Sequence, residues 1–192
     1  MQDRIWTISN LLSMSRIVLM LPAVYYFTAP ITFHREIALL IILVAVATDA
    51  LDGYVARIRN EVSEFGKIID PLADKVAVGI VVVMLTIYGD IPLWFTVTVL
   101  SRDVVIFIAG LFIKAKTGII LPSLMSGKVA VSILALTLVF PILNYPSLQW
   151  LFEIFQVITL GLLGYSLAVY AKRFIETLRG HSSGDSRSSL NM

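Results

Sequence analysis

The chain has 192 residues and a net charge of +2; 58% of its residues are hydrophobic, only 15% are charged, and the mean hydropathy is +0.88. Typical soluble domains carry about a quarter charged residues, so this composition excludes an ordinary soluble domain and predicts one domain built mostly of membrane helices. It contains no cysteine, and its two histidines, His34 and His181, lie far apart, which excludes disulfides, thiolate or His-based metal sites and a Ser-His-Asp triad.

Taken in order, residues 1–16 mix Trp, Leu, Ile and Met with Ser, Asn and Arg. At helical spacing they predict an amphipathic helix on the membrane surface, or else an ordinary polar start to the first span. The first span is expected at about 17–29. Thr7 to Phe33 lacks a small-residue cleavage site, so this segment is expected to be retained. A second span at about 37–58 acquires Asp49, Asp52 and Arg57 towards its end, and a polar connection at 60–64 leads to a third at about 70–88. The fourth, opened by Pro92, runs to about Ile113 with Arg102 and Asp103 in its middle. The fifth starts near Pro122, contains Lys128 and ends before Pro141 or Pro146. The sixth, 148–171, is the cleanest. A Ser- and Gly-rich tail, 180–192, is expected to be disordered and leaves 1–179 as the membrane domain.

The expected fold is therefore an all-α integral membrane protein of six transmembrane helices with an N-terminal amphipathic surface helix. Arg4, Arg57, Arg59, Lys67, Lys114, Lys116, Lys172, Arg173 and Arg179 then share one side, and Arg35 alone takes the other. The positive-inside rule places both termini and the connection between the second and third spans in the cytoplasm, with Trp94 and Trp150 at the opposite interface. Gly161 and Gly164 offer close helix approach, a weak pointer to dimerisation when taken alone.

Charged groups at membrane depth are costly and mark functional sites, which directs attention to 49–74. Asp49, Asp52, Gly53, Ala56 and Arg57 fall at i, i+3, i+4, i+7 and i+8, one face of a helix; Asp70 and Asp74 are one turn apart. Four carboxylates converging from neighbouring helices would raise one another's pKa unless cations balance them. An oxygen-only donor set fits Mg²⁺, Mn²⁺ or Ca²⁺, and two such ions leave room for phosphate oxygens. Gly53 and Ala56 open space for a ligand and Arg57 suits a phosphate. Each piece also has a plainer use: Asp70 before Pro71 as a helix N-cap, Gly53 and Ala56 as packing contacts, Lys75 as a charge balance for Asp74.

The pattern Asp49-x2-Asp52-Gly53-x2-Ala56-Arg57-x8-Gly66-x3-Asp70-x3-Asp74 matches every fixed position of the CDP-alcohol phosphotransferase signature, and the chain is identified as resembling that family. Asn10-x2-Ser13-x2-Arg16 is similar to the family's Asn-x2-Thr-x2-Arg segment, with Ser replacing Thr. The resemblance implies two Mg²⁺ or Mn²⁺ ions held by Asp49, Asp52 and Asp70, with Asp74 joining the metal site and acting as general base. It implies contact with the CDP moiety by Gly53, Ala56, Arg57 and Gly66, with Asn10 and Ser13 added. The implied reaction is attack of an alcohol on the lipid-side phosphorus of CDP-diacylglycerol with release of CMP, at the cell membrane, often by a homodimer. No nucleic acid is expected as a partner.

The acceptor is expected to carry a phosphate, met by Arg102, Lys128 and Lys75, although an Arg102–Asp103 or Lys128–carboxylate pair that merely supports the bundle is the plainer alternative. Ser101–Arg102–Asp103 and Gly127–Lys128 resemble segments of bacterial phosphatidylglycerophosphate synthases, which implies glycerol 3-phosphate; Ala130 stands where that group often has a further Lys. Ser-Arg-Asp followed by Pro122-Ser123-x2-Ser126 and Lys128 also resembles cardiolipin synthases, which use phosphatidylglycerol. Inositol phosphate and serine are further candidate acceptors. A cation transporter is the competing class, but the acids crowd into one half and no internal repeat is visible.

Overall fold

The computed structural model describes the backbone of residues 8–59, 66–118 and 124–188, and the side chains of Arg16, 18–48, 73–116, Gly118 and 124–178. Over these residues the structure is all-helical: α1 (Ile8–Thr28), α2 (His34–Arg59), α3 (Gly66–Ile87), α4 (Leu93–Thr117), α5 (Met125–Leu143) and α6 (Gln149–Ser188), with a 3-10 turn at Pro146–Leu148. Two compact units form, one of Met1–Pro92 with Val139–Pro146, the other of Leu93–Leu138 with Ser147–Met192.

In the first unit α1 lies against both α2 and α3. Met20, Ala23 and Phe27 give α1 a buried stripe, and Ala73, Ala77, Val81 and Leu85 give α3 a second one at four-residue intervals. α2 contributes Ala38 and Ala45, both fully buried. Alanine at these positions lets helix backbones approach closely. α3 ends in a Schellman motif. Gly89, at φ 78°, donates to the Thr86 carbonyl (3.1 Å) and Asp90 N–H to that of Leu85 (2.9 Å). A side chain with a Cβ would be strained at that φ.

Beside this turn, Arg35 at the start of α2 donates from Nη1 to Asp90 Oδ1 (3.0 Å) and to the carbonyls of Pro141 and Ile142 (3.1 and 3.4 Å). Those carbonyls close the last turn of α5, so one guanidinium caps a helix 106 residues away. Nearby, Tyr145 donates its hydroxyl to Glu36 Oε1 (2.5 Å). That bond holds the Glu36 carboxyl below its ordinary range and pushes the Tyr145 phenol up.

In the second unit, ring contacts fix the helix directions. Phe95 meets Phe152 (6.5 Å between centroids) and Phe112 meets Phe174 (6.1 Å), so α4 and α6 run parallel. Thr137 bonds Thr159 (2.7 Å), whereas Tyr170 accepts a bond from Leu124 N–H (3.1 Å), so α5 runs antiparallel to α6. The exposed Trp94 and Trp150 stand at one end of this bundle; Lys114, Lys116 and Lys172 stand at the other. Trp94 to Lys114 is twenty residues and Trp150 to Lys172 twenty-two, about 30–33 Å of helix. That equals the hydrocarbon thickness of a bilayer.

Among the described residues three stretches are long and apolar enough to cross a membrane: Leu93–Lys116, Met125–Leu143 and Pro146–Leu178. The helical count agrees with six; the span count stands at three, with Val18–Thr28 a shorter apolar stretch.

Three expectations need adjustment. The surface segment is no separate helix over 8–16, because those residues are the first turns of α1; residues 1–7 lie outside the described part. α3 starts at Gly66, one turn before Asp70, because Ile68 and Ile69 extend the apolar pattern upstream; Asp70 is thus inside the helix and not its N-cap. Of the two limits expected for the fifth helix, the one before Pro146 holds: Pro141 lies inside α5, which ends at Leu143, and Asn144 (φ 51°) makes the cap. Finally, α6 continues through Ser188, past the Ser- and Gly-rich point where the composition predicts an irregular tail. Adding residues to a helix already formed costs little per residue, since nucleation is the unfavourable step. The polar connection expected at 60–64 lies outside the described residues.

Candidate active site

The signature divides between two helices. Asp49, Asp52, Gly53, Ala56 and Arg57 all fall in α2, which continues unbroken to Arg59; Gly66, Asp70 and Asp74 fall in α3. The helical backbone gives the sequence spacing its geometric meaning, since positions i, i+3, i+4, i+7 and i+8 share a face. The side chains of 49–72 lie outside the described residues, as do those of Asn10 and Ser13, which sit on α1. No group of three potential metal ligands converges among the described residues, to which Asp74 alone of the four aspartates belongs.

Asp74 is half exposed, its side chain retaining 53% accessibility, and it pairs with Arg16 on α1, whose side chain keeps only 7%. α1 packs directly on α3, so the pair joins neighbouring helices. A buried guanidinium needs a charged partner, and here the partner is a signature carboxylate that still faces outward. Charge and direction are thereby fixed on one side of Asp74 while the other side stays open. Arg16 is the residue that a reading centred on 49–74 undervalues. Its signal in the sequence is the Asn10-x2-Ser13-x2-Arg16 spacing. Lys75, beside Asp74, is half-buried and has an interaction partner.

The second cluster lies in the α4–α6 unit. Arg102 is buried, donating from Nη1 to Asp103 Oδ1 (2.6 Å) and from Nη2 to Ser166 Oγ (2.5 Å), with no partner for Nε. Gly127 faces it: a Cβ there would lie 3.2 Å from the Tyr170 ring and 3.7 Å from Arg102 Nη2. The absence of a side chain at 127 is what lets Tyr170 reach the Leu124 N–H at the head of α5. Lys128, the next residue, is exposed. Of the cations expected to meet an acceptor phosphate, Arg102 is thus engaged in the bundle and Lys128 faces outward.

Comparison with known proteins agrees with the signature. The family model described as CDP-alcohol phosphatidyltransferase matches residues 6–163. The chain is 33% identical over 132 residues to the Bacillus subtilis CDP-diacylglycerol–glycerol-3-phosphate 3-phosphatidyltransferase, covering 62% of this chain and 67% of that one. It is 36% identical over 104 residues to the Escherichia coli K12 enzyme of the same name (53% and 57%). It is 41% identical over 113 residues to the rat cardiolipin synthase (CMP-forming), covering 58% of this chain and 36% of that protein, about a third of its length. With its complete signature on α2 and α3 and a family match across most of its length, the chain belongs to the CDP-alcohol phosphatidyltransferase family.

Proposed function

We propose that this protein transfers the phosphatidyl group of CDP-diacylglycerol to glycerol 3-phosphate with release of CMP, in phospholipid biosynthesis. The observation that carries the reading is the Arg16–Asp74 pair, which sets the last signature carboxylate at the open side of α3. In this scheme the acceptor hydroxyl gives its proton to an Asp74 carboxylate oxygen and attacks the phosphorus that bears the diacylglycerol. The bond from that phosphorus to the bridging oxygen breaks, and CMP leaves. Arg16 holds Asp74 in register for the proton, and Asn10 and Ser13, on the same helix, join Gly53, Ala56, Arg57 and Gly66 around the nucleotide.

The donor set fits a divalent metal, since it is made only of carboxylate oxygens and places two on each of two helices. Asp49, Asp52 and Asp70, with Asp74, would hold two Mg²⁺ or Mn²⁺ ions. When bound, such ions neutralise the pyrophosphate and make CMP a better leaving group. The Trp-to-Lys spacing of α4 and α6 supports an integral protein of the cell membrane with its basic end and active site on the cytoplasmic side. Six spans and a homodimer complete the reading.

In this reading Lys128, Arg102 and Lys75 serve the acceptor phosphate; Lys128 is exposed and the buried Arg102 keeps Nε without a hydrogen-bond partner. A second reading, cardiolipin synthase with phosphatidylglycerol as acceptor, is favoured by the 41% identity to the rat protein. The family match leaves the cation-transporter alternative without support.

The test is CMP release from CDP-diacylglycerol by the purified protein, with glycerol 3-phosphate, phosphatidylglycerol, inositol phosphate and serine supplied side by side. Glycerol 3-phosphate should be preferred, and a chelator should stop turnover until Mg²⁺ or Mn²⁺ is restored. Preference for phosphatidylglycerol selects the second reading; turnover that survives chelation sinks the metal assignment.

A further inference from the structure

The basic end of the α4–α6 unit is built differently from a set of helix caps. Lys114 and Lys116 close α4 and complement its C-terminal dipole, as cations there commonly do. Lys172 and Arg173 have no such reason, because α6 continues to Ser188, about four turns further. The Phe112–Phe174 contact nevertheless brings all four to one height: Lys116 stands one turn beyond Phe112, and Lys172 and Arg173 within half a turn of Phe174. Lys116 and Lys172 are exposed and Lys114 half so. The carboxylate found nearest these lysines is Glu176, 3.9 Å from Lys172 with both side chains in solvent, a contact worth little. Just inside this ring the surface is apolar, with Ile108, Phe112 and Tyr165 exposed.

We propose that Lys114, Lys116 and Lys172 form a collar that binds the anionic head groups of bilayer phospholipids, with the acyl chains lying on the apolar surface below. Charge complementarity and the apolar surface immediately beneath identify a lipid as the occupant: a soluble anion would use the cations and leave Phe112 and Tyr165 unused. The collar rests on the membrane reading of α4–α6 and is independent of the transfer chemistry. Each cation near an anionic surface is worth about a fivefold gain in local partition.

The test uses the full chain in a zwitterionic detergent with EDTA present, titrated with dioctanoyl phosphatidic acid or dioctanoyl phosphatidylcholine and read by native mass spectrometry. The wild type should retain phosphatidic acid about tenfold over phosphatidylcholine, a preference that shrinks as salt rises. Lys114→Gln/Lys116→Gln/Lys172→Gln should cut the ratio about fivefold or more, and the corresponding triple arginine variant should keep it. Asp74→Asn should lose CMP release yet leave the ratio unchanged, whereas a wild type that releases no CMP with the ratio intact counts against the transferase reading and not against the collar. Equal retention by the wild type and the glutamine variant would overturn the proposal. So would loss of the preference in the arginine variant, or full displacement of the lipid by excess inorganic phosphate.

Discussion

Among the described residues the two units each bury one arginine, and the two are used in opposite ways. Arg16 and Arg102 have nearly equal exposure, 6% and 7%. Arg102 is held locally, by the next residue and by a serine on α6. Arg16 reaches across to another helix and takes a carboxylate that stays half exposed. A closed pair braces a bundle, while an open one leaves a charged group oriented and available. Depth and residue type are the same, and the partner's exposure is what separates support from chemistry.

Substitutions can sharpen or break that contrast. The largest effect is expected from Asp74→Asn, which removes the proposed base: CMP release should fall about 10²–10⁴-fold while donor binding, measured by titration, is largely kept. Full activity would take the base role away from Asp74. Arg16→Gln should come next, lowering kcat by about tenfold or more, with Arg16→Lys recovering part of it. If Arg16→Gln lowers only the melting temperature and not kcat, the Arg16–Asp74 pair is a brace like the other.

For Arg102 the order reverses. Arg102→Ala leaves Asp103 without its buried partner and should cost about 3 kcal/mol of stability, whereas Arg102→Met/Asp103→Asn should recover most of it. Lys128→Ala should raise the acceptor KM more than the donor KM with little change in melting temperature. Unchanged acceptor kinetics in both Arg102→Ala and Lys128→Ala would remove the phosphate pocket from this part of the chain. The smallest effect is at Tyr145→Phe, a contact at the surface. Because the Tyr145 bond lowers the Glu36 pKa in the folded protein, it stabilises at neutral pH and that contribution is lost as pH falls through the depressed Glu36 value. The phenylalanine variant should lose a little stability at neutral pH and converge with the wild type in acid.

Much of this was legible in the residues alone. Eight fixed positions survive as a pattern because helical spacing turns sequence intervals into a face, and no packing detail is needed to see it. The end of α4 was less accessible: its span was expected to stop near Ile113, but the helix continues through Lys114 and Lys116 to Thr117, with Gly118 at positive φ after it. The same holds for the start of α3. A proline after an aspartate imitates a helix beginning, and the counter-signal is the pair Ile68 and Ile69, which carries the apolar pattern upstream to Gly66. The partner of Arg102 was open for a related reason: Asp103 was visible as a neighbour, but Ser166 is brought there by the parallel course of α4 and α6.

That parallel course has a mechanical consequence. Between their tryptophan and lysine ends, α4 and α6 are cut to nearly the same length, so they act as a pair of struts between two interfaces. A bilayer thinner than about 30 Å obliges such struts to tilt, and a thicker one stretches or thins around them, at a fraction of a kcal/mol per Å. Being parallel and of nearly equal length, the two struts would tilt together and keep the Arg102–Ser166 contact between them.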